Sequence, residues 1–306
     1  MSDFRSGFVA IVGRPNVGKS TLINALVGSK IAITSHHPNT TRSAIRGIVH
    51  GENFQAVLVD TPGVHKPKTL LGHRLNAVVD QSMDSVDVVI LCIPADETSG
   101  AGDIYIAQEI AKHPRAKKFA VITKTDLLSK EKLALRLTGI MELAQGFTWD
   151  EIIPVSAAIH DQIDLLNKLI GAALPAGPAY YPEGTTSDQA IEQLICEFIR
   201  EAALQDVREE LPHSIVVTID EFGEREEKGS RPFYDVHATI HVERDTQRAI
   251  LLGHQGTRLK EIGIRARADI ERALVAKIFL GLHIKVSKEW QRDARMLDKL
   301  GFEERR

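Results

Sequence analysis

Residues 13–20 read Gly13-Arg14-Pro15-Asn16-Val17-Gly18-Lys19-Ser20. This Gly-x-x-x-x-Gly-Lys-Ser pattern follows the apolar run 8–12 and precedes an amphipathic stretch over 20–27, so it lies between a predicted strand and a predicted helix. Glycines there let the backbone curl, so that several N–H groups converge on phosphate oxygens at the helix N-terminus. The segment therefore predicts a P-loop, with Lys19 on the β- and γ-phosphates and Ser20 on Mg²⁺. The residues expected to contact the nucleotide here are Asn16, Val17, Gly18, Lys19, Ser20 and Thr21.

Residues 1–175 alternate short apolar runs with amphipathic stretches. Predicted strands cover 8–12, 44–50, 54–60, 88–93, 118–123 and 151–155, and predicted helices cover 20–27, 72–82, 102–113, 130–145 and 161–173. Short strands separated by helices are typical of a mostly parallel sheet covered on both faces. We therefore expect an α/β nucleotide-binding domain over residues 1–175.

Motifs at three strand ends select the nucleotide. Asp60-Thr61-Pro62-Gly63 ends the third strand, where Asp60 is expected to hold a Mg²⁺-bound water and Gly63 to offer its N–H to the γ-phosphate. Thr123-Lys124-Thr125-Asp126 ends the fifth strand, and Asp126 can accept from two guanine donors that adenine lacks. The stem of Lys124 can cover the ring, and Ser156-Ala157-Ala158 supplies a backbone N–H for guanine O6. Because open α/β sheets bind ligands at these strand ends, the set favours GTP and GDP over ATP.

Two positions bear on hydrolysis. Of the threonines in the polar loop 38–42, we favour Thr41 as the one that binds Mg²⁺ and senses the γ-phosphate, so that Lys19, Thr41, Gly63 and Asn16 form the predicted catalytic set. Many GTPases place a glutamine after the Asp-x-x-Gly glycine, whereas this chain has Val64, which predicts slow intrinsic hydrolysis. Our hypothesis is that Asn16 helps to coordinate K⁺, which would supply the missing positive charge.

A second domain follows a linker. Residues 174–184 are rich in Pro and Gly, so we predict a linker over 176–188 and a smaller domain over 189–306. The predicted elements are a helix over 188–205, strands over 214–222 and 233–243, helices over 247–252 and 257–275, and a strand over 277–286. Gly253-His254-Gln255-Gly256 joins the last two helices. A Gly-x-x-Gly turn in an α-β-β-α-α-β order is typical of a type II KH domain, which clamps single-stranded RNA.

Charge separates within this second domain. The chain has a formal net charge of −3, which argues against nucleic-acid binding by bulk charge alone. Residues 189–243 carry 13 acidic and 5 basic side chains, whereas residues 244–300 carry 13 basic and 7 acidic ones. The basic cluster surrounds the glycine loop, which supports RNA binding there. The residues predicted to bind RNA are Gly253, His254, Gln255, Gly256, Arg258, Lys260 and Arg265.

Composition sets the protein class. The 306 residues are 43% hydrophobic and 26% charged, as in ordinary globular proteins. Cys92 and Cys196 are far apart in sequence and form no metal motif, which fits a reducing cytosol. No apolar run approaches the ~18 residues of a membrane span. We expect a soluble, cytoplasmic monomer without a transmembrane segment.

A P-loop domain followed by a KH domain resembles the Era family of bacterial GTPases over essentially the whole chain. The segments that carry the resemblance are 13–21, 38–42, 60–68, 178–184, 211–215 and 242–270 with the last strand. The resemblance implies a GTP-switched factor that binds the 3′ end of 16S rRNA and assists maturation of the 30S ribosomal subunit. It also implies peripheral association with the inner membrane face.

Three departures from the family pattern stand out. Thr123 replaces the usual asparagine, and His254-Gln255 replaces the lysines of the glycine loop, which should weaken phosphate attraction and flatten the salt dependence of binding. Gly281 and His283 stand where relatives tend to have Glu and Trp.

Two alternatives remain open at this point. One is a GTPase of tRNA modification, but that class normally carries a catalytic cysteine near the C-terminus, and Cys196 is a poor match. The other is an assembly factor whose KH-like domain recognises protein rather than RNA.

Overall fold

The computed structural model describes residues 4–34, 45–60, 86–144, 146–205, 214–225 and 231–300. The chain divides into two compact units. The first runs to Asp188 and the second begins at Gln189, and the second also takes in Ile33 and Thr34 from earlier in the chain.

The first unit is built on a six-stranded sheet. Its strands are β1 (Arg5–Val12), β2 (Ile45–His50), β3 (Phe54–Asp60), β4 (Val88–Pro94), β5 (Lys117–Thr123) and β6 (Glu151–Pro154). The spatial order is β2-β3-β1-β4-β5-β6, and only the β2–β3 pair is antiparallel among these neighbours. This confirms the mostly parallel α/β sheet. All residues of β4 are buried, as expected for a central strand covered on both faces.

Helices cover both faces of this sheet. They are α1 (Lys19–Val27), α2 (Ala101–Ala111), α3 (Lys130–Met141) and α4 (Ile163–Ala173). One core lies among α1, α4 and one sheet face, and a second lies among α2, α3 and the other face. Helix α3 ends at Met141, before the predicted end at 145. The helix predicted over 72–82 lies outside the described residues.

The 176–188 segment, which we predicted as a linker, is instead hydrogen-bonded along the first unit. Buried Gln55 donates from Nε2 to Tyr181 O at 2.8 Å and accepts from the Tyr180 N–H at 2.7 Å. Further along, the Ile48 N–H donates to Thr186 O at 2.9 Å. Pro and Gly correctly predicted the absence of a helix, but composition does not show where an irregular segment packs.

The second unit is a three-stranded sheet with helices packed on one face. Its elements are α5 (Ile191–Leu204), β7 (Val216–Arg225), β8 (Phe233–Val242), α6 (Asp245–Leu252), α7 (Thr257–Leu274), β9 (Lys277–Val286) and α8 (Ala294–Lys299). The order is β7-β8-β9, with β7 antiparallel and β9 parallel to β8. The α-β-β-α-α-β order of a smaller α+β domain is confirmed, and α8 is an addition that we did not predict.

The core of this unit lies between the sheet and the helices α5 and α7. Alternate β8 residues Val236, Ala238, Ile240 and Val242 are buried there, as their period of two predicts. Near the C-terminus, fully buried Trp290 donates from Nε1 to Ser214 O at 3.0 Å, which fixes the turn before α8. Among the described residues, no helix combines the length and apolar character needed to cross a bilayer.

Candidate functional site

The P-loop follows β1 and opens α1, as its sequence context predicted. Gly13 and Gly18 have φ values of 154° and 96°, and exposed Asn16 also has a positive φ of 63°. A Cβ at Gly13 would lie 2.8 Å from Cys92 O, so only glycine fits there without a shift. These left-handed positions turn the loop so that its backbone N–H groups gather at the start of α1, which is a ready site for phosphate oxygens.

Lys19 lies inside this loop. Its side chain is 6% exposed, and Nζ donates to Gly13 O at 3.0 Å and to Arg14 O at 2.8 Å. Burial lowers the pKa of Lys19, and the nearby carboxylate of Asp60 opposes that shift. The ammonium group is therefore positioned within the loop, where it can face bound phosphate.

Ser20 and Asp60 form the predicted Mg²⁺-binding pair. Ser20 Oγ donates to Asp60 Oδ2 at 3.0 Å, and Asp60 is completely buried at the end of β3. A hydroxyl and a carboxylate are hard oxygen donors that suit Mg²⁺, which usually takes one or two protein oxygens together with substrate phosphates. The residues present therefore fit the ion.

A side chain of the P-loop ties it to α2, and sequence reasoning missed this contact. Arg14 Nε donates to Asp103 Oδ1 at 2.8 Å, and its terminal nitrogen lies 3.0 Å from Glu97 Oε2. The Asp103 side chain is completely buried and also accepts from the Gly100 N–H at 2.9 Å. Although partial burial lowers the pKa of Arg14, the ion pairs with Asp103 and Glu97 outweigh it and raise that pKa. A Cβ at Gly102 would lie 2.8 Å from Arg14 Cδ, so Gly102 makes room for the side chain.

The predicted guanine-binding residues come together at the ends of β5 and β6. Ser156 is buried, and its Oγ donates to Asp126 Oδ1 at 2.5 Å, which orients the exposed carboxylate. Lys124 has a positive φ of 58° and lies 3.8 Å from Asp96. Ala157 and Ala158 follow Ser156 in an increasingly exposed turn.

Thr123 connects the guanine loop to the P-loop. Its hydroxyl donates to Val17 O at 2.5 Å, and the residue is 4% exposed. Thr123 therefore holds the two nucleotide loops together, and its predicted contact with the nucleotide stays a prediction. At this position, where the family usually has asparagine, the threonine hydroxyl makes the bond to the P-loop.

Cys92 lies next to the P-loop but is not a reactive thiol. Burial raises its pKa to about 12. Thiolate is the nucleophilic form, so this cysteine is a packing residue. Thr41, Gly63 and Val64 lie outside the described residues, and their predicted roles stay predictions.

The glycine loop of the second unit joins α6 to α7. Gly253 has φ 69° and ψ −177°, a backbone region that only glycine adopts without strain, and Gly256 has φ 79°. A Cβ at Gly253 would lie 2.8 Å from Arg258 Cβ, whereas one at Gly256 would meet nothing. His254 and Gln255 are exposed between them. The backbone of this loop is therefore open to a ligand.

A groove continues from the loop between α7 and β9. Its volume is about 450 Å³ and its lining is mostly apolar. The lining residues that sequence reasoning missed include Leu259, Ile264, Phe279 and Leu282. The available sequence signal was Ile264, an apolar residue outside the helical period of Ile262, Ala266 and Ile270, and in the structure it is 61% exposed.

The predicted RNA-binding bases divide into two groups. Lys260 lines the groove. Arg258 donates to Gln205 O at 3.1 Å, and Arg265 donates to Gln205 Oε1 at 3.0 Å. These two arginines therefore hold the end of α5 in addition to adding positive charge near the loop.

Two family profiles match this chain. A family profile described as a 50S ribosome-binding GTPase matches residues 8–124, and one described as a KH domain matches residues 210–291. GTPase Era of Mycobacterium tuberculosis is 53% identical over 304 residues, covering 99% of this chain and 100% of that protein. GTPase Era of a Nocardioides species is 52% identical, covering 97% of this chain and 96% of that protein.

Two solved structures are similar over the full length. A crystal structure of Era in complex with MgGDPNP and nucleotides 1506–1542 of 16S ribosomal RNA has a TM-score of 0.92 and 34% identity, covering 98% of this chain and 100% of that chain. A structure of an Aquifex aeolicus Era variant bound to GDP and AlF₄⁻ has a TM-score of 0.91 at the same identity and coverage. Because this chain is more than half identical to GTPase Era over nearly its whole length and shares the fold of the solved Era structures, it belongs to the Era family of GTPases.

Proposed function

We propose that this GTPase binds the 3′ end of 16S ribosomal RNA through its second unit, under control of the bound guanine nucleotide, and so assists assembly and maturation of the 30S subunit. The observation that carries the proposal is the pairing of glycines at 253 and 256, both with positive φ, with the adjacent groove of about 450 Å³. Such a loop lets an RNA backbone approach closely while bases enter the groove. The similarity to an Era structure that contains a 16S rRNA fragment supports this choice of RNA.

In the first unit, the chain positions GTP for attack by water. The P-loop N–H groups and Lys19 face the phosphates, and Asp126 selects guanine. Mg²⁺, when bound near Ser20 and Asp60, neutralises charge that develops on the phosphate oxygens. Thr41 and Gly63 are proposed to sense the γ-phosphate and so to report hydrolysis.

We further propose that K⁺ assists hydrolysis beside Asn16. The place of Asn16 in the P-loop supports this idea, because the residue is exposed and its backbone, with a φ of 63°, lies within the turn that would surround the phosphates. GTP turnover should be faster in K⁺ than in Na⁺, and Asn16→Ala should abolish the difference while retaining GDP binding. Equal rates in the two salts would remove K⁺ from the mechanism.

The cellular setting is part of the same proposal. We propose a cytoplasmic monomer that also associates peripherally with the inner membrane face. Fractionation of cells with and without high-salt washing tests the location, and sedimentation of the purified chain tests the monomer. Protein that stays on the membrane after the salt wash would contradict peripheral association, and a stable dimer would contradict the monomer.

RNA affinity tests the main proposal. The full chain is titrated with the RNA of nucleotides 1506–1542 and with a scrambled sequence, in GDP and in a non-hydrolysable GTP analogue. Binding should be specific, should tighten with the analogue, and should disappear in Gly253→Asp/Gly256→Asp. The charge control is Gly139→Asp/Gly223→Asp, which adds the same charges where a Cβ meets nothing within 4 Å, and Gly256→Asp alone tests the loop without the clash at Gly253.

Each result points to one of the two functions of the second unit. Loss of binding in the loop variant but not in the control supports an RNA clamp. Absent binding, or binding indifferent to sequence and nucleotide, would contradict the proposal and favour an assembly factor whose KH-like unit recognises protein.

A further inference from the structure

The outer side of strand β9 carries an exposed row of aromatic and basic residues. Inward-facing Ile278, Leu280, Leu282, Ile284 and Val286 pack in the core of the second unit. The alternate positions point to the opposite face of the sheet, away from α5 and α7. We call them the outer row: Lys277, Phe279, Gly281, His283 and Lys285.

Two rings and a glycine form a platform within this row. Gly281 lies opposite His237 of β8 in the parallel register, and a Cβ at Gly281 would be 2.7 Å from His237 Nδ1. The imidazole therefore lies over the position that a side chain would otherwise fill. His237 also contacts Phe279, with ring centroids 5.5 Å apart, and Phe279 is 45% exposed. Exposed His283 lies on the same face of β9, two residues after Gly281.

Charge varies across the sheet in one direction. Exposed Asp220 and Glu221 lie on β7, with Glu221 opposite His237, whereas Lys277 and Lys285 are exposed on β9. The two strands are about 10 Å apart, since neighbouring strands lie about 4.8 Å apart. Asp235 lies opposite Phe279, but Arg225 donates to its carboxylate from Nε at 2.8 Å and from Nη2 at 2.6 Å and so offsets its charge. A polyanion is therefore attracted to the β9 side and repelled from the β7 side.

The outer row is continuous with the groove described above. Phe279 lines that groove together with Leu280 and Leu282, and β9 is the edge strand of its sheet. An RNA strand that fills the groove and passes over this edge meets Phe279 first and then His237 and His283. Stacking on exposed rings flanked by basic residues is how single strands bind without base-specific hydrogen bonds.

We propose that the outer row is a second RNA contact, on which unpaired bases of the strand leaving the groove stack against Phe279, His237 and His283 while Lys277 and Lys285 face its phosphates. The inference rests on the proposed RNA-binding function and extends it from the glycine loop and groove to the opposite face of the sheet. It predicts a binding site longer than the nucleotides that the groove alone can hold.

Nested RNA fragments test this inference with the full chain. The RNA of nucleotides 1506–1542 is shortened from each end to the smallest fragment whose binding still needs Gly253 and Gly256. His237→Ala and His283→Ala should leave affinity for that smallest fragment unchanged, since neither residue lines the groove. For the longer fragments each should weaken binding roughly 5- to 150-fold, the range found when a stacking ring is removed.

Two further variants complete the design. Phe279→Ala should weaken binding of all fragments because Phe279 lines the groove and belongs to the outer row. Tyr105→Ala removes a comparable ring, 50% exposed, from the first unit and should change nothing. Equal unfolding midpoints of the variants and the wild type exclude a folding defect, as expected for exposed positions.

The outcomes separate this inference from the function on which it rests. Loss confined to the longer fragments supports the second contact. If the histidine variants bind every fragment like the wild type, or lose all fragments equally, the second contact is wrong while the loop-dependent binding stands. If the wild type gains no affinity from longer RNA, the outer row does not contact RNA and a protein partner becomes its better occupant. If the wild type binds no fragment, both proposals fail.

Discussion

Removing the Arg14 side chain should loosen the P-loop and destabilise the first unit. The guanidinium joins the loop to α2 through Asp103 at 2.8 Å and Glu97 at 3.0 Å. Arg14→Ala would leave the completely buried Asp103 carboxylate with the Gly100 N–H at 2.9 Å and the positive charge of nearby Arg136, but without its ion-pair partner in the P-loop. A buried charge that loses its counterion lowers the free energy of unfolding. We therefore expect a large loss of stability although the Arg14 side chain is partly exposed.

The magnitude follows from exposure. Breaking a buried ion pair by deleting one partner costs about 3–5 kcal/mol. The Arg14 side chain is 26% exposed and that of Glu97 is 48% exposed, so water screens the Glu97 pair and moderates the other. We therefore expect Arg14→Ala to lower the free energy of unfolding by about 2–3 kcal/mol.

The same change should weaken nucleotide binding. Lys19 Nζ donates to Arg14 O at 2.8 Å, so the backbone that Arg14 holds also positions the phosphate-binding ammonium group. If about 1.4 kcal/mol of the loss falls on the binding conformation, GDP affinity drops about tenfold.

Fluorescence can report the first unit alone. The chain has two tryptophans, Trp149 in the first unit and Trp290 in the second, so a Trp290→Phe background leaves Trp149 as reporter. Urea unfolding and GDP titration are measured for Arg14→Ala, Asp103→Asn and the double variant, with Glu97→Gln as the exposed-carboxylate control. A double-mutant coupling energy below about 0.5 kcal/mol would refute the anchoring role of this pair.

Three further outcomes follow from single positions. Gly253→Ala should lower stability more than Gly256→Ala, because its backbone angles exclude other residues and its Cβ would meet Arg258 at 2.8 Å; equal unfolding midpoints would contradict this. Thr123→Val should cost about 1–3 kcal/mol and weaken GDP binding, since Val17 O loses a buried donor. Thr123→Ser should restore both properties, and a serine variant as weak as valine would exclude the hydroxyl. Asp150→Asn should be less stable at neutral pH, and the difference should shrink as pH falls below about 4.

The pH dependence of the last variant has a defined sign. Burial pushes the pKa of Asp150 upwards, but hydrogen bonds from the Lys118 N–H at 2.8 Å and Lys117 Nζ at 2.9 Å outweigh it and lower the pKa. A carboxyl with a depressed folded-state pKa stabilises the protein above its unfolded pKa and loses that contribution as pH falls through the folded pKa. Unfolding curves that keep a constant separation between pH 7 and pH 3 would contradict this account.

Much of the architecture follows from local sequence patterns. Strand and helix periods, read over a few residues, predicted six strands of the first unit and the element order of the second. The P-loop was predictable because its glycines, lysine and serine are adjacent in sequence and their chemistry is local. The Gly-x-x-Gly motif alone is too common to predict a KH domain, and the prediction depended on the order of the helices and strands around it.

Contacts between distant segments were not predictable in this way. Arg14 reaches Asp103, and Thr123 reaches Val17, across 89 and 106 residues of sequence. Neither pairing leaves a periodic or compositional signal, because any arginine can pair with any acid. Helix α8 was missed since six residues, Ala294–Lys299, are too few to show a helical period.

The bonding of the 176–188 segment affects how the first unit behaves when it is separated from the rest of the chain. Strand β2 is an edge strand of its sheet. Its side away from β3 is hydrogen-bonded by the 176–188 segment, through the Ile48 N–H bond to Thr186 O and the bridge between Gly47 and Ser187. A fragment that stops at Pro175 would leave this edge with unpaired backbone donors and acceptors. Such an edge can pair with a strand of another molecule, so this fragment should self-associate through β2. A fragment that ends at Asp188 keeps the 176–188 segment on this edge and should stay unassociated.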